Sequence, residues 1–354
     1  MAEVHLPFVW TERVLDHVPG AEVWVGVSTP GTEVARRASL IRESLLAAGA
    51  SEVAATPHDD TYLLAVHDRG LVRHLRDVHA QWMASDIPAL AGQDRVVPYV
   101  FPTEGMLQGL PVRDPTAVHA RAGRWCYDTM TLVGPGTWTA ARAAVDAALT
   151  AVDLVVAGAR SAYALTRPPG HHVTRAAYGG SCYLNNAAVA ASALLGAGYE
   201  RVAVVDVDAH HGNGTQAVFY ERPEVLYASV HVDPGAGWFP HYAGFAEETG
   251  RGPGTGANRN VALAPGAGDQ TWLHGIDQLL DAVAAHRSQV LVVSLGVDAA
   301  MDDPESPLRV SSEGYGATGT RLAATGLPCV LVQEGGYHLP TLGGLVTAVL
   351  AAFA

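Results

Sequence analysis

The sequence has little charge, few cysteines, no lysine and no long apolar run. Charged residues make up 16% of its 354 residues, and the basic ones are scarcer, with 22 Lys and Arg against 35 Asp and Glu. The net charge of −13 repels a phosphate backbone or an anionic membrane, so we expect neither nucleic acid nor a membrane as a partner. An acidic surface that is simply solvated fits this balance, and so does one that attracts a cationic small molecule.

The cysteines and the two ends of the chain indicate a cytoplasmic location. Cys126, Cys182 and Cys329 are too few and too scattered for a disulfide framework or a zinc site built from thiolates. The segment from Met1 to Trp10 lacks the basic and apolar parts of a signal peptide. The last apolar run, from Leu342 to Ala354, is shorter than the ~18 residues that a membrane-spanning helix needs. We therefore predict a cytoplasmic protein.

Apolar runs and alanine-rich segments alternate along the chain, which is typical of a layered α/β sheet. Four runs are almost wholly apolar, as parallel strands covered on both faces must be: Val202 to Val207, Val225 to Val232, Val290 to Leu295 and Cys329 to Val332. Helices are predicted at Val34 to Ala48, Gly70 to Met83, Thr137 to Val156, Asn186 to Leu195, Thr271 to His286 and Glu313 to Thr325.

The chain shows no repeat, low-complexity tract or linker, so residues 1–354 are predicted to form a single domain. Two long glycine- and proline-rich segments interrupt the pattern, a rim insertion at about 85–115 and a loop at about 233–260. Loops of this length in a compact domain are usually functional. We expect substrate selection to take place there.

Three acidic or imidazole side chains follow the strand that begins near Val202. In an extended strand, alternate side chains share a face, so Asp206, Asp208 and His210 are expected to point the same way. Carboxylates crowded beside an apolar strand cost several kcal/mol unless a proton, a cation or dense hydrogen bonding compensates. Asp298 follows a second strand, at the sheet edge where open α/β proteins bind ligands.

Asp208, His210 and Asp298 are therefore the candidate ligands of one metal ion. Two carboxylates and one imidazole suit Zn²⁺, with Fe²⁺ and Co²⁺ as alternatives. Three protein ligands leave one coordination position open, which is typical of catalytic sites. For a single aspartate, a helix N-cap or a loop anchor is the more common role. The three residues together favour the metal.

Two histidines follow a short run, Ser161 to Thr166, that is consistent with a further strand, and a tyrosine follows the apolar run Cys329 to Val332. His171 and His172 come after Pro-Pro-Gly, which fixes the backbone and presents both imidazoles stiffly. A lone histidine is most often a surface or satisfied core residue, but such a pair beside a metal can move the proton of a water. Tyr337 follows two glycines, where a phenol that donates to an oxyanion and a simply packed tyrosine are equally supported.

Five segments together resemble the histone deacetylase superfamily. They are RPPGHH, GGSCYLNNAAVAA, DVDAHHGNGTQAVFYERPEVLYASVH, SLGVDAAMDDP and QEGGY. The resemblance is greatest to the bacterial acetylpolyamine amidohydrolase and class II-like branch, and it covers the chain well from Thr137 onward. It implies the arginase-deacetylase fold, with three layers and a central, mostly parallel sheet flanked by helices. The reaction it implies is hydrolysis of an N-acetyl amide to a free amine and acetate.

The resemblance also implies roles for single residues. One Zn²⁺ per chain would be bound by Asp208, His210 and Asp298, and a structural K⁺ or Na⁺ would lie near Asp206 and Ser229. The catalytic residues that it implies are the tandem His171 and His172, Tyr337, Asp206 as the partner of His171, and Asn213 as the partner of His172. The class I branch has an aspartate at the position of Asn213. An asparagine biases His172 less toward the imidazolium, so His172 is the predicted general base.

The predicted substrate contacts are Phe239, Gly180, Ser181 and Glu104. Relatives usually have an aromatic residue at the position of Ser181 as one wall of the substrate tunnel, with Phe239 opposite, so the serine predicts a wider and more polar tunnel. Glu104, Asp114 and Asp128 are interpreted either as attracting an ammonium group or as solvated loop carboxylates. The long insertion, which assists dimerisation in polyamine-processing relatives, implies a homodimer.

We therefore predict a zinc-dependent amidohydrolase that removes the acetyl group from an acetylpolyamine or a similar small acetylated amine. The alternatives are deacetylation of a biosynthetic intermediate or of protein acetyl-lysine. A ureohydrolase of the same fold would need two manganese ions and extra carboxylates where this chain has His211, Asn213 and Ala300. A non-catalytic protein that merely binds acetylated amines is the last alternative.

Overall fold

The chain is built around one sheet of eight parallel strands. The structure is a computed structural model that describes residues 3–353. Within this range the strands are β1 (Pro7–Trp10), β2 (Glu22–Trp24), β3 (Val27–Thr29), β4 (Ser51–Ala54), β5 (Ser161–Ala164), β6 (Val202–Asp206), β7 (Val225–Val232), β8 (Asn258–Leu263), β9 (Val290–Leu295) and β10 (Cys329–Gln333). The sheet order is β4-β1-β5-β10-β9-β6-β7-β8, and β2 and β3 form a separate antiparallel hairpin.

Helices cover both faces of the sheet and complete three layers. They are α1 (Arg36–Ala47), α2 (Thr61–Val66), α3 (Arg69–Met83), α4 (Ile87–Ala91), α5 (Glu104–Leu107), α6 (Val118–Trp125), α7 (Thr137–Val156), α8 (Asn186–Gly196), α9 (Asn213–Phe219), α10 (Asp269–His286), α11 (Ser312–Ala324) and α12 (Leu339–Leu350). Short 3₁₀ helices occur at Glu12–Leu15, Pro234–Ala236 and Gly252–Gly254. No helix within residues 3–353 combines the length and the apolar character needed to cross a membrane.

Two apolar cores lie on opposite faces of the sheet. One contains α3, α7 and α8, and the other contains α1, α10, α11 and α12. Alternate residues of β6 belong to different cores: Val202 and Val204 pack on one side, and Ala203 and Val205 on the other. Because both faces are covered, the central strands are buried along their whole length and their sequences are continuously apolar.

The predicted arginase-deacetylase architecture agrees with this arrangement, and the predicted helix Thr137 to Val156 has the same bounds as α7. The predicted loop at 233–260 is wrong at its end, where Asn258 begins β8. The strand β8 lies at the edge of the sheet and starts with polar residues. The side-chain amide of Asn260 donates a hydrogen bond to Phe245 O in the loop. The sequence of β8 is therefore not an apolar run. The predicted rim insertion contains two short helices, α4 and α5.

The order of the strands places the sequence motifs side by side. The strands β5, β10, β9 and β6 are consecutive neighbours and run parallel, so their carboxyl ends meet at one edge of the sheet. The segments that follow them carry the tandem histidines, Tyr337, Asp298 and Asp208, in that order. This edge is where loops of an α/β sheet diverge and leave room for a ligand.

Candidate active site

Asp208, His210 and Asp298 converge on one point at the edge of the sheet. The potential ligand atoms of the three side chains all lie within 4.8 Å of one another. His210 Nδ1 is 3.3 Å from Asp208 Oδ1 and 3.2 Å from Asp298 Oδ2. The extended strand ends earlier than predicted, at Asp206, and the backbone bends at residues 208–210. The bend, rather than a shared strand face, turns Asp208 and His210 toward Asp298.

Backbone donors fix the two carboxylates in place. Asp208 accepts hydrogen bonds from the backbone N–H of His210, 2.9 Å away, and of Gly335, 2.7 Å away. Asp298 accepts one from the backbone N–H of Ala209 at 2.7 Å. A side chain at Gly335 would collide with both carboxylates, so glycine is required for this close approach. The positions of the two carboxylates are therefore set by the backbone.

The electrostatics of this cluster fit a bound cation. Asp208 and Asp298 are both buried, and burial together with the charge of Asp208 raises the pKa of Asp298. Two ionised carboxylates without a cation are unfavourable in such surroundings. Two carboxylate ligands and one imidazole suit Zn²⁺. The residues present thus fit one divalent ion.

The two adjacent histidines are held by different partners. His171 Nδ1 lies 3.1 Å from Asp206 Oδ2, and Tyr227 donates its hydroxyl to the same oxygen at 3.0 Å. Burial lowers the pKa of His171, but the carboxylates of Asp208 and Asp206 outweigh it and raise the pKa to about 10. Asp208, the larger of the two contributions, is itself a candidate metal ligand, so the contact that remains when a cation neutralises Asp208 is the one with Asp206.

His172 lies in the opposite electrostatic situation. Its Nδ1 is 2.8 Å from Asn213 Oδ1, and an amide oxygen has no charge with which to stabilise an imidazolium. Burial and the charge of His171 lower the pKa of His172 well below its usual value. Because the Asn213 oxygen can only accept, the proton of neutral His172 is on Nδ1, and Nε2 carries the free lone pair.

Tyr337 is positioned by two residues that the sequence analysis did not identify. The guanidinium of Arg37 lies 4.6 Å from the centre of the Tyr337 ring and donates to the backbone oxygen of Glu334 at 2.7 Å. Asp303 accepts a hydrogen bond from the backbone N–H of Tyr337 at 2.7 Å. Burial raises the pKa of Tyr337 well above its usual value, so the phenol keeps its proton at neutral pH.

A buried carboxylate connects the tyrosine segment with the histidine segment. Glu33 Oε1 accepts hydrogen bonds from Arg37 at 2.9 Å and from Arg167 at 2.8 Å. Arg167 is the residue before the Pro-Pro-Gly that leads to the tandem histidines. All three side chains are buried. No local motif signals the whole network, because Arg167 lies more than a hundred residues after Glu33 and Arg37.

A cavity of about 930 Å³ leads to His210 from the surface. Phe239 lines it, and three carboxylates line it too: Glu22 of the β2–β3 hairpin, Asp128 and Glu305. None of the described lining residues is lysine or arginine. Burial and the nearby charge of Glu305 raise the pKa of Glu22 to about 7. Sequence reasoning identified neither Glu22 nor Glu305.

Gly180 lies against the rings of His172 and Phe239, because a side chain at this glycine would collide with both. Gly180, Ser181 and Glu104 stay predictions as substrate contacts. Glu104 is exposed at the start of the short helix α5, on the rim. The backbone N–H of Ser181 donates to Thr131 Oγ1 at 2.8 Å. Of the two other acidic candidates, Asp114 is exposed and lies 3.8 Å from Arg124.

Asp128 lines the cavity, but its oxygens already have partners. It accepts hydrogen bonds from the backbone N–H groups of Met130, Thr131 and Gly180 and from the Thr131 hydroxyl. Its main structural effect is therefore to hold the segment that contains Gly180. Ser229, predicted to lie near a monovalent cation with Asp206, pairs with Asp206 in register and bonds His231 through its hydroxyl. That cation stays a prediction.

Comparison with known proteins gives a consistent result. Residues 31–353 match the model of the histone deacetylase domain. The chain belongs to the histone deacetylase family. It is 38% identical over 339 residues to the acetylpolyamine amidohydrolase of Mycoplana ramosa, covering 94% of this chain and 95% of that protein. Its identity to acetylpolyamine amidohydrolase 1 of Pseudomonas aeruginosa is also 38%, covering 95% of each chain.

A solved structure supports the same membership. The acetylpolyamine aminohydrolase of Burkholderia pseudomallei superposes with a TM-score of 0.92 at 36% identity, and the match covers 98% of both chains. The predicted family and the predicted fold are thus confirmed. As a member of the histone deacetylase family, the protein is a hydrolase that acts on amide bonds.

The ligand cluster predicts a loss of zinc in Asp298→Asn. We expect zinc affinity to fall by more than about 100-fold, because an amide replaces one of two anionic ligands. The fold should persist, since the amide oxygen can still accept from Ala209 and the repulsion with Asp208 is removed. Zinc content of the purified protein, measured by mass spectrometry, is the test. Asp302→Asn, at an exposed neighbouring position, should keep its zinc; full occupancy in Asp298→Asn would contradict the ligand set.

Proposed function

We propose that this histone deacetylase family member is a zinc-dependent amidohydrolase that removes the acetyl group from small acetylated amines with a second, cationic amino group. Acetylpolyamines are substrates of this kind. The observation that carries the proposal is the charge of the cavity, which has Glu22, Asp128 and Glu305 in its lining and no lysine or arginine among its described residues. An ammonium group is attracted there, whereas an anionic substrate is repelled. The names of the similar proteins support the same substrate class.

The metal ligands would be Asp208, His210 and Asp298. A zinc ion bound by them supplies a Lewis acid for the acetyl carbonyl and makes a water more acidic. The chain itself has to accept the proton of that water, donate one to the leaving amine and donate a hydrogen bond to the developing oxyanion.

We assign the base role to His172. It is neutral at physiological pH, and the bond to Asn213 Oδ1 leaves Nε2 free to take a proton. We assign the proton-donor role to His171, because Asp206 beside its Nδ1 stabilises the imidazolium form. Tyr337 keeps its phenol proton and donates a hydrogen bond to the carbonyl oxygen as that oxygen becomes negative.

A ureohydrolase with two metal ions is disfavoured by the residues around the cluster. His211 is buried, and its Nε2 lies 3.0 Å from Gln216 Oε1. Asn213 is engaged with His172, and Ala300 has no ligand atom. The chain therefore lacks carboxylates at the positions that a second metal would require, and one ion is the better fit.

We further propose that the rim pairs two copies of this chain. Within the predicted insertion at 85–115, large apolar side chains are exposed: Leu90, Tyr99, Val100, Met106, Leu110 and Val112. A second copy of this segment is a partner that would remove these side chains from water. A dimer would cover them.

The dimer is tested with Leu110→Glu. A charge at this exposed position leaves the monomer fold intact but opposes burial in an interface, so we expect the sedimentation coefficient to fall from that of a dimer to that of a monomer. The matched control is Leu46→Glu, an exposed leucine outside the rim, which should stay dimeric. A monomeric wild-type protein at micromolar concentration would refute the dimer.

The substrate class is tested with a matched pair of acetylated amines. We expect kcat/KM for acetylputrescine to exceed that for N-pentylacetamide, its neutral analogue of similar length, by at least about tenfold. This preference should shrink in Glu22→Gln and Glu305→Gln, and remain in Glu313→Gln at an exposed site on α11. Because the pKa of Glu22 is about 7, the preference should increase between pH 6 and pH 8, as Glu22 loses its proton.

The same panel separates the alternatives. Acetate release should be measured from acetylputrescine, acetylspermidine, larger acetylated amines and an acetyl-lysine peptide. Equal kcat/KM for the charged and the neutral amide would contradict the cationic substrate. A clear preference for the peptide would favour protein deacetylation, and a preference for a larger amine would favour a biosynthetic intermediate.

A further inference from the structure

Ser181 predicts a wider tunnel than an aromatic residue would, and an aromatic ring packs two residues away: a side chain at Gly179 would collide with the ring of Tyr127. Tyr127 lines the cavity, and its ring is nearly parallel to that of Phe239, with an angle of 15° and 6.3 Å between the ring centres. Phe239 in turn meets the ring of His172 edge-on at 4.7 Å. The cavity near His172 therefore has two aromatic residues in its lining without any contribution from residue 181.

The hydroxyl of Tyr127 has a separate contact. It donates to the backbone oxygen of His172 at 2.9 Å. Burial raises the pKa of Tyr127 well above its usual value, so this donor keeps its proton across the working pH range. Tyr127 thus binds the backbone of His172, while Asn213 binds its imidazole ring.

The surroundings hold the Tyr127 ring in one position. Its backbone N–H donates to Tyr178 O at 3.2 Å, which joins the end of α6 to the strand-like segment before Gly179. A side chain at Gly179 would collide with the Tyr127 ring, so the glycine allows the ring to pack directly on the backbone. Its neighbour Asp128 fixes Gly180 on the other side. The ring is preorganised rather than free to move.

We propose that Tyr127 is a positioning and specificity-determining residue of this site: its ring is a wall for the methylene stem of the substrate, and its hydroxyl holds the main chain of His172. The inference rests on the proposed deacetylase function. It assigns the wall that Ser181 lacks to a residue on a different segment. It also makes the placement of the base depend on a residue that lies outside the tandem-histidine motif.

Two variants separate the two contributions. Tyr127→Phe keeps the ring and removes the donor, so kcat for acetylputrescine should fall about tenfold while KM stays within about twofold, because the base is misplaced and the wall is intact. Tyr127→Leu removes the ring as well, so its KM should exceed that of Tyr127→Phe by about tenfold. In Tyr127→Leu the preference for an unbranched over a branched acetylated amine should also fall, which a general loss of stability would not produce.

The control is Tyr62→Phe, at a partly exposed tyrosine on α2, which should leave kcat, KM and the unfolding midpoint unchanged. If Tyr127→Leu does not fold, Tyr127→Met supplies the ring-free comparison. An unchanged kcat in Tyr127→Phe, or equal KM values in Tyr127→Phe and the ring-free variant, overturns the inference while the proposed function stands. A wild-type protein that releases no acetate from any acetylated amine overturns both.

Discussion

The structure depends on two aspartates of like charge that are buried side by side. Asp208 and Asp298 come from segments that follow neighbouring strands, and backbone N–H groups hold both of them beside His210. Desolvation of such a pair costs several kcal/mol unless a cation shares the site. The glycine at position 335 is needed because no other residue leaves room for the carboxylates. The local backbone is therefore arranged around one positive charge.

The other candidate catalytic side chains are held by polar and charged partners around this pair. His171 lies beside the carboxylate of Asp206, whereas His172 lies beside the neutral amide of Asn213. The two neighbouring imidazoles thus have different hydrogen-bond partners, one charged and one neutral. The buried Glu33 links Arg37, which packs on Tyr337, with Arg167, which precedes the histidines. This network connects the segment that carries Tyr337 with the segment that carries the tandem histidines.

The clustering of Asp208, His210 and Asp298 beside the tandem histidines could be predicted because the sequence signals for it are local. Asp208 and His210 are two residues apart, and Asp298 directly follows an apolar strand that is easy to recognise. Glu22, Tyr127 and Glu305 could not be predicted, because they reach the cavity through loops whose path depends on the tertiary fold. Glu104 was predicted as a substrate contact because it is an acidic residue in the rim insertion, and the structure places it on the exposed rim. The strand β8 was missed because its polar first residues bond to a loop.

The most direct test of this account is a zinc titration of the metal-free protein. After removal of divalent ions with a chelator, zinc is added back in small steps while acetate release from acetylputrescine is measured. The account predicts no activity at the start, a linear rise and a break at one ion per chain. Activity without any divalent ion, or a break at two ions per chain, would contradict the claim that one ion between Asp208, His210 and Asp298 drives the reaction.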